Sequence, residues 1–243
     1  MRDHKTYLIV DAGNTKVKLV FFEDEKISNQ VRIDANDLEK LKRVLNHAQI
    51  DQSILASVQS DQATRKLQSM INPSVTLSHL TKLPIDLSAY TTVKTLGADR
   101  IANAVAAEQM SANNNALVID IGTCIKYDCV VQKKYLGGGI SPGLNMRFRA
   151  LNEFTGQLPY LEYESFPPLA GTSTKEAIES GVVNGIIEEL NGIVHRYAQQ
   201  FQPLTIFLTG GDAKRFDKAL KNSIFADENL TVKGLYLILK HNG

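Results

Sequence analysis

The chain is poor in the residues that build disulfides and zinc sites. It has two cysteines in 243 residues, Cys124 and Cys129. Five positions apart on one strand they face opposite sides, so they read as reduced, half-buried thiols and not as a disulfide or a metal pair. His4, His47, His79, His195 and His241 are scattered along the sequence, which argues against zinc held by them. Charge of either sign is balanced: 27 Lys and Arg stand against 26 Asp and Glu, a net charge of +1. That leaves no electrostatic footprint for nucleic acid or a membrane surface. No run approaches the roughly 18 apolar residues that a spanning helix needs. The opening residues are polar and lead into a strand, so a secretory leader is not expected and a cytoplasmic location is. What is present is ordinary for a globular protein, with 43% hydrophobic and 22% charged residues in a chain long enough for two modest domains.

Against that plain background one device occurs twice. Asp11-Ala12-Gly13-Asn14-Thr15 follows the apolar run Tyr7-Leu8-Ile9-Val10, and Asp120-Ile121-Gly122-Thr123 follows Ala116-Leu117-Val118-Ile119. Each leads into a second strand-like segment. A carboxylate, a glycine and a hydroxyl at a strand-to-strand turn suit a metal-bound phosphate. The acid can hold a cation directly or through water. The glycine lets backbone amides come close to phosphate oxygens, and the hydroxyl adds a donor.

The surrounding pattern repeats as well. Residues 6–11, 15–22 and 26–33 read as three strands, with Asp24-Glu25 at the second turn. Asn36 with Glu39 reads as a capping box for a helix carrying Leu38, Leu41, Val44 and Leu45. Residues 53–58 and 75–77 read as strands, with a helix between them that Asp61 caps. Residues 84–96 are irregular, and an alanine-rich helix runs from Ala98 through Met110. After the polar residues 111–115 the three-strand pattern restarts at 116–120, 123–131 and 134–140. Residues 145–152 read as a short helix, and Ser173 with Glu176 opens a long one. Its apolar stripe is Ile178, Val182, Ile186, Leu190, Val194, Tyr197 and Phe201, suited to a core or an interface. A strand at 205–208 ends in Thr209-Gly210-Gly211-Asp212; a helix and the apolar stretch 234–239 follow. The order predicts an α/β fold of two half-domains, 1–112 and 113–243, with mixed sheets flanked by helices and a cleft between them.

Four motifs in register carry a resemblance: Asp11-x-Gly13-Asn14-Thr15-x-x-Lys18, Gly97-Ala98-Asp99-Arg100, Asp120-x-Gly122-Thr123 and Gly138-Gly139-x-x-Pro142-Gly143. Together they resemble type III pantothenate kinase, within the acetate and sugar kinase, heat-shock chaperone and actin superfamily. The resemblance covers nearly the whole chain and implies two related RNase H-like halves. It implies a homodimer that moves the γ-phosphoryl group of ATP to the primary hydroxyl of pantothenate, the first committed step toward coenzyme A. Mg²⁺ accompanies the ATP, and a monovalent cation, K⁺ or NH₄⁺, is needed too. By this resemblance Asp11, Ala12, Gly13, Asn14, Thr15, Lys16, Val17 and Lys18 form the ATP phosphate hairpin. Asp11 holds magnesium through water, and Lys18 offsets charge as the phosphates separate. Thr123 takes a phosphate and Asp120 the monovalent cation. Asp99 is the general base; Gly97, Ala98, Arg100, Tyr90 and Thr174 lie on the substrate side. Gly210-Gly211-Asp212 looks like the adenosine-side loop, and Gly137 to Gly143 shape the cleft floor without chemistry of their own.

Plainer readings stay open at several of these positions. Asp99 and Arg100 suit a helix start, Tyr90 a half-buried loop aromatic, Thr174 helix-start chemistry beside Ser173, and the paired glycines an ordinary strand-to-helix turn. The sequence departs from the family at Val93, where a proline is frequent, and at Lys126, where a threonine is common. An ammonium there can replace or repel a potassium ion, or point to solvent. Two rival functions are a kinase of another small hydroxylated metabolite and a nucleotide-binding regulator without catalysis.

Overall fold

The computed structural model describes residues 4–220 and 224–243. The chain forms two compact units, Met1–Ala106 with Leu230–Gly243, and Ala107–Asn229.

The first unit opens with a meander of β1 (Thr6–Ala12), β2 (Lys16–Glu23) and β3 (Lys26–Asp34). Asp24 takes φ 55° in the turn between β2 and β3, a left-handed conformation that Asp tolerates. Helix α1 (Leu38–Asn46) follows. Its cap is Asp37, whose carboxylate accepts from the Lys40 amide, so the cap falls one residue beyond Asn36 and the expected box of Asn36 with Glu39 gives way to a single cap bond. Strand β4 (Gln52–Ser57) leads to α2 (Asp61–Ile71), capped by Ser60 and not by Asp61. Strand β5 (Val75–Thr76), a 3₁₀ turn at Val93–Thr95 and α3 (Ala98–Met110) complete this stretch. The sheet order is β3-β2-β1-β4-β5, antiparallel through the meander and parallel from β1 to β4 to β5. β1 is central, so Tyr7 through Val10 are all buried and the run is continuously apolar.

The second unit repeats this plan with β6 (Asn115–Ile121), β7 (Cys124–Val131) and β8 (Lys134–Pro142). Helices α4 (Leu144–Glu153) and α5 (Thr174–Gln200) follow, then β9 (Thr205–Thr209), α6 (Ala213–Phe216), a 3₁₀ turn at Asp217–Ala219 and β10 (Phe225–Ala226). Its sheet runs β10-β9-β6-β7-β8. Read from the meander edge, both sheets have the same order: third, second, first, then two parallel strands. The stripe of α5 is core: Ile178, Val182, Ile186, Leu190 and Val194 are buried against Ile119, Ile125, Phe148 and Leu208.

Helix α7 (Leu230–Asn242) departs from the expected division at 112/113 by joining the first unit. Small residues explain this. Ala102, Ala104, Val105 and Ala106 of α3 are fully buried, and a Cβ on Gly234 would lie 1.8 Å from the Ala102 carbonyl oxygen, so the two helices touch backbone to backbone. Tyr236 stacks on Phe22 with ring centres 4.4 Å apart and meets Tyr7 edge-on at 5.4 Å. The Thr231 hydroxyl donates to the buried amide oxygen of Asn103 at 2.7 Å.

Candidate active site

Antiparallel register sets Asp11, near the end of β1, directly opposite Lys18 on β2. Opposed residues share a face, so a carboxylate and an ammonium stand as neighbours, both half-buried. Ala12 and Val17 alternate to the other face and are buried in the core. Like Gly13, these two expected ATP residues have only backbone groups to offer. The Gly13 amide donates to the Lys16 carbonyl at 2.9 Å and closes the turn, while the Gln59 side-chain amide donates to the Gly13 carbonyl at 2.6 Å and braces it. Asn14 and Thr15 are exposed at the tip. Lys16 is committed to β3, its ammonium 2.5 Å from Asp34, and that contact holds the Asp34 carboxyl below its usual range. Among the described residues no three His, Cys, Asp or Glu side chains cluster to cage a metal. Magnesium held by one carboxylate, water and a nucleotide's own phosphates needs no cage, and Asp11 beside an open turn fits that mode.

The start of α3 gathers five expected residues, Gly97, Ala98, Asp99 and Arg100 with Tyr90 beside them. Asp99 is half-buried in the first turn and accepts from the Arg100 amide at 2.9 Å. A Cβ on Gly97 would lie 2.5 Å from the Asp99 carboxylate oxygen, so the glycine makes room for that carboxylate. Arg100 is buried, with its guanidinium 5.9 Å from the centre of the Tyr90 ring, a cation–π contact. The loop tyrosine and the helix arginine, ten positions apart, therefore form one surface.

In the second unit Asp120 faces Lys126 across β6 and β7 as Asp11 faces Lys18. The Lys126 ammonium is 2.7 Å from the Asp120 carboxylate, and the side chains are only 20% and 12% exposed. Lys126 does not point to solvent. Thr123 is exposed at the tip. Two distant glycine segments close on this hairpin. A Cβ on Gly143 would lie 2.1 Å from the Gly122 carbonyl oxygen, and the Gly143 amide donates to the Thr123 carbonyl at 3.1 Å. Gly210 takes φ +99°, and a Cβ there would lie 2.5 Å from Asp120 Oδ1. The Asp212 amide donates to the Ile121 carbonyl at 2.9 Å. Thr174 is exposed as the first residue of α5; the capping oxygen belongs to Ser173, which accepts from the Glu176 amide at 3.2 Å.

The sequence profile of the family described as type III pantothenate kinase matches residues 7–196. The chain belongs to the type III pantothenate kinase family. The type III pantothenate kinase of Christiangramia forsetii is 40% identical over 243 residues, covering 97% of this chain and 98% of the relative. That of Phocaeicola vulgatus is 39% identical over 238 residues, with the same coverage. Among solved structures, a chain from Campylobacter jejuni described as a Baf family transcriptional activator superposes with a TM-score of 0.68 at 19% identity, covering 97% of this chain and 98% of its own. A glucokinase from an Antarctic psychrotroph gives a TM-score of 0.56 at 13% identity, covering 98% and 99%. At those identities the likeness shows the fold, two mixed five-stranded sheets flanked by helices.

For a type III pantothenate kinase, two features escaped sequence reasoning. The first is the register of the second hairpin: Lys126 was singled out from the sequence, but its place directly opposite Asp120 was not. The second is a polar knot on Glu189 of α5. Tyr127 donates to it at 2.7 Å, and Ser141 and Arg147 donate to it too, while Arg147 Nε reaches the Pro142 carbonyl at 2.8 Å. Burial pushes the Glu189 carboxyl up, but the donors from Ser141, Arg147 and Tyr127 prevail and hold it below the usual range. The same burial, with the Glu189 charge, drives the Tyr127 phenol upward. Four elements meet on one glutamate, and no short motif announces that.

Proposed function

We propose that this chain transfers the γ-phosphoryl group of ATP to the primary hydroxyl of pantothenate, giving 4′-phosphopantothenate. The observation that carries this is the start of α3, where Gly97 opens space for the Asp99 carboxylate beside Arg100 and Tyr90. A primary alcohol is a poor nucleophile until it loses its proton. Asp99 orients that hydroxyl and accepts the proton as the bond to phosphorus forms, typically worth ~10²–10⁴-fold. The loose transition state of phosphoryl transfer makes the aim of the alcohol as important as basicity. Arg100 presents a planar fork suited to the carboxylate of pantothenate, and the Tyr90 face limits how that fork turns.

At the first hairpin, the turn amides with Asn14 and Thr15 take phosphate oxygens, and Lys18 balances charge on the leaving phosphate. Asp11 holds magnesium through water, and the bound ion neutralises phosphate charge. Thr123 contributes a hydroxyl to a phosphate, and Gly210-Gly211-Asp212 takes the adenosine side. We further propose a homodimer in which Thr174 lies on the substrate side, and a cytoplasmic enzyme with no nucleic-acid or membrane partner. The balanced charge supports the last point, and no described helix is long and apolar enough to cross a membrane.

The test is ADP release by the purified protein with Mg-ATP and, in turn, pantothenate, glucose and glycerol. Turnover with pantothenate at least 100-fold above the other two is expected. Preference for a sugar or glycerol makes it a kinase of another metabolite. Release with none, despite ATP binding, makes it a regulator.

A further inference from the structure

Resemblance to the family assigns Asp120 a free monovalent cation, and the local geometry does not suit one. The carboxylate lies between β7 and the 209–212 loop, with Gly210 so close to Oδ1 that a single methyl group would collide. Its other oxygen is engaged by the Lys126 ammonium at 2.7 Å, in a pair with little solvent exposure. A potassium ion brought to that oxygen meets a like charge. Displacing Lys126 would strand an ammonium in a largely buried position, which is costly.

We propose that Lys126 is a built-in monovalent cation, so that nucleotide binding by this chain needs no free potassium or ammonium ion. The inference rests on the kinase reading for its site, and it concerns what that site requires. Three physical points support it. A lysine side chain ends in an alkylated ammonium ion, with the same charge as the free ion and N–H donors suited to oxygen ligands. Tethering replaces a bimolecular binding event with an intramolecular one, so the charge is present at any salt composition. Antiparallel pairing sets Lys126 opposite Asp120, as it sets Lys18 opposite Asp11, although the second turn is one residue shorter. An acid facing a lysine across a hairpin thus belongs to both halves of the repeat.

The experiment measures Mg-ATP affinity by calorimetry, without pantothenate. The protein is dialysed into tetramethylammonium chloride, then titrated with KCl or NH₄Cl at constant ionic strength. For the wild-type chain the Kd for ATP is expected to change less than twofold, with no saturable rise in thermal midpoint. A saturable tightening of tenfold or more would overturn the proposal. Lys126→Thr is expected to bind ATP at least tenfold more weakly in tetramethylammonium and to recover with potassium. ATP binding by Lys126→Thr that ignores potassium and matches wild type would also overturn it. If Lys126→Thr does not fold, Lys126→Met keeps the stem and loses the charge, and the same loss in tetramethylammonium is expected. Because pantothenate is absent, the substrate assay can fail while this result stands, and the reverse holds.

Discussion

Cys129 shows how one side chain's chemistry follows from its place in a strand. It lies on the buried side of β7, and burial followed by the neighbouring Asp128 charge pushes its thiol up to about 12. Cys124, on the other face, is partly exposed. Iodoacetamide at pH 8 should therefore label one thiol in the folded protein and two after denaturation, counted by intact mass. Two fast labels on the folded chain would contradict this placement. The residue scale is also where the sequence was most legible. Asp11, Lys18, Asp99, Asp120 and the glycines beside them belong to short contiguous motifs, because turns and helix starts are set by local backbone chemistry. Lys126 was ambiguous because a pairing distance depends on register, which the turn decides.

Elements were legible wherever local patterning ruled. The strands of both meanders, α3 and α5 fall close to their expected bounds, since alternation and an apolar stripe are intrinsic to each segment. The first two helix caps shifted by one residue: Asp37 and Ser60 compete with adjacent polar residues that offer similar oxygens. The Glu189 knot was illegible because its members are up to 62 positions apart. It ties α5 to α4, β7 and β8, and its acid chemistry has a definite sign. The folded-state carboxyl lies below its ordinary value near 4.5, so its contribution is fully present above that pH and is lost as pH falls through the lower folded value. Glu189→Gln should cost about 1.5–3 kcal/mol near pH 7, the range for hydrogen bonds to a charged group. Thermal midpoints of the two proteins should converge as pH falls below 4.5. A gap that is constant from pH 7 to pH 3 would contradict the charged knot.

At the scale of the whole molecule, the repeat was visible in the order of its elements, and it emerged as two sheets of identical topology. The return of α7 to the first unit was not visible. Residues 234–239 read only as an apolar stretch, and what seats the helix is the fit of Gly234 against Ala102, 132 positions earlier in the chain. The repeat supplies two acid–lysine hairpins, and the proposed catalysis adds a further acid, Asp99 at the start of α3. The direct test is a comparison of wild type with Asp99→Asn, reading both the Kd for Mg-ATP and the turnover number with saturating pantothenate. The expected result is an ATP Kd within about threefold of wild type and a turnover lowered ~10²–10⁴-fold. Unchanged turnover in the folded variant would contradict it.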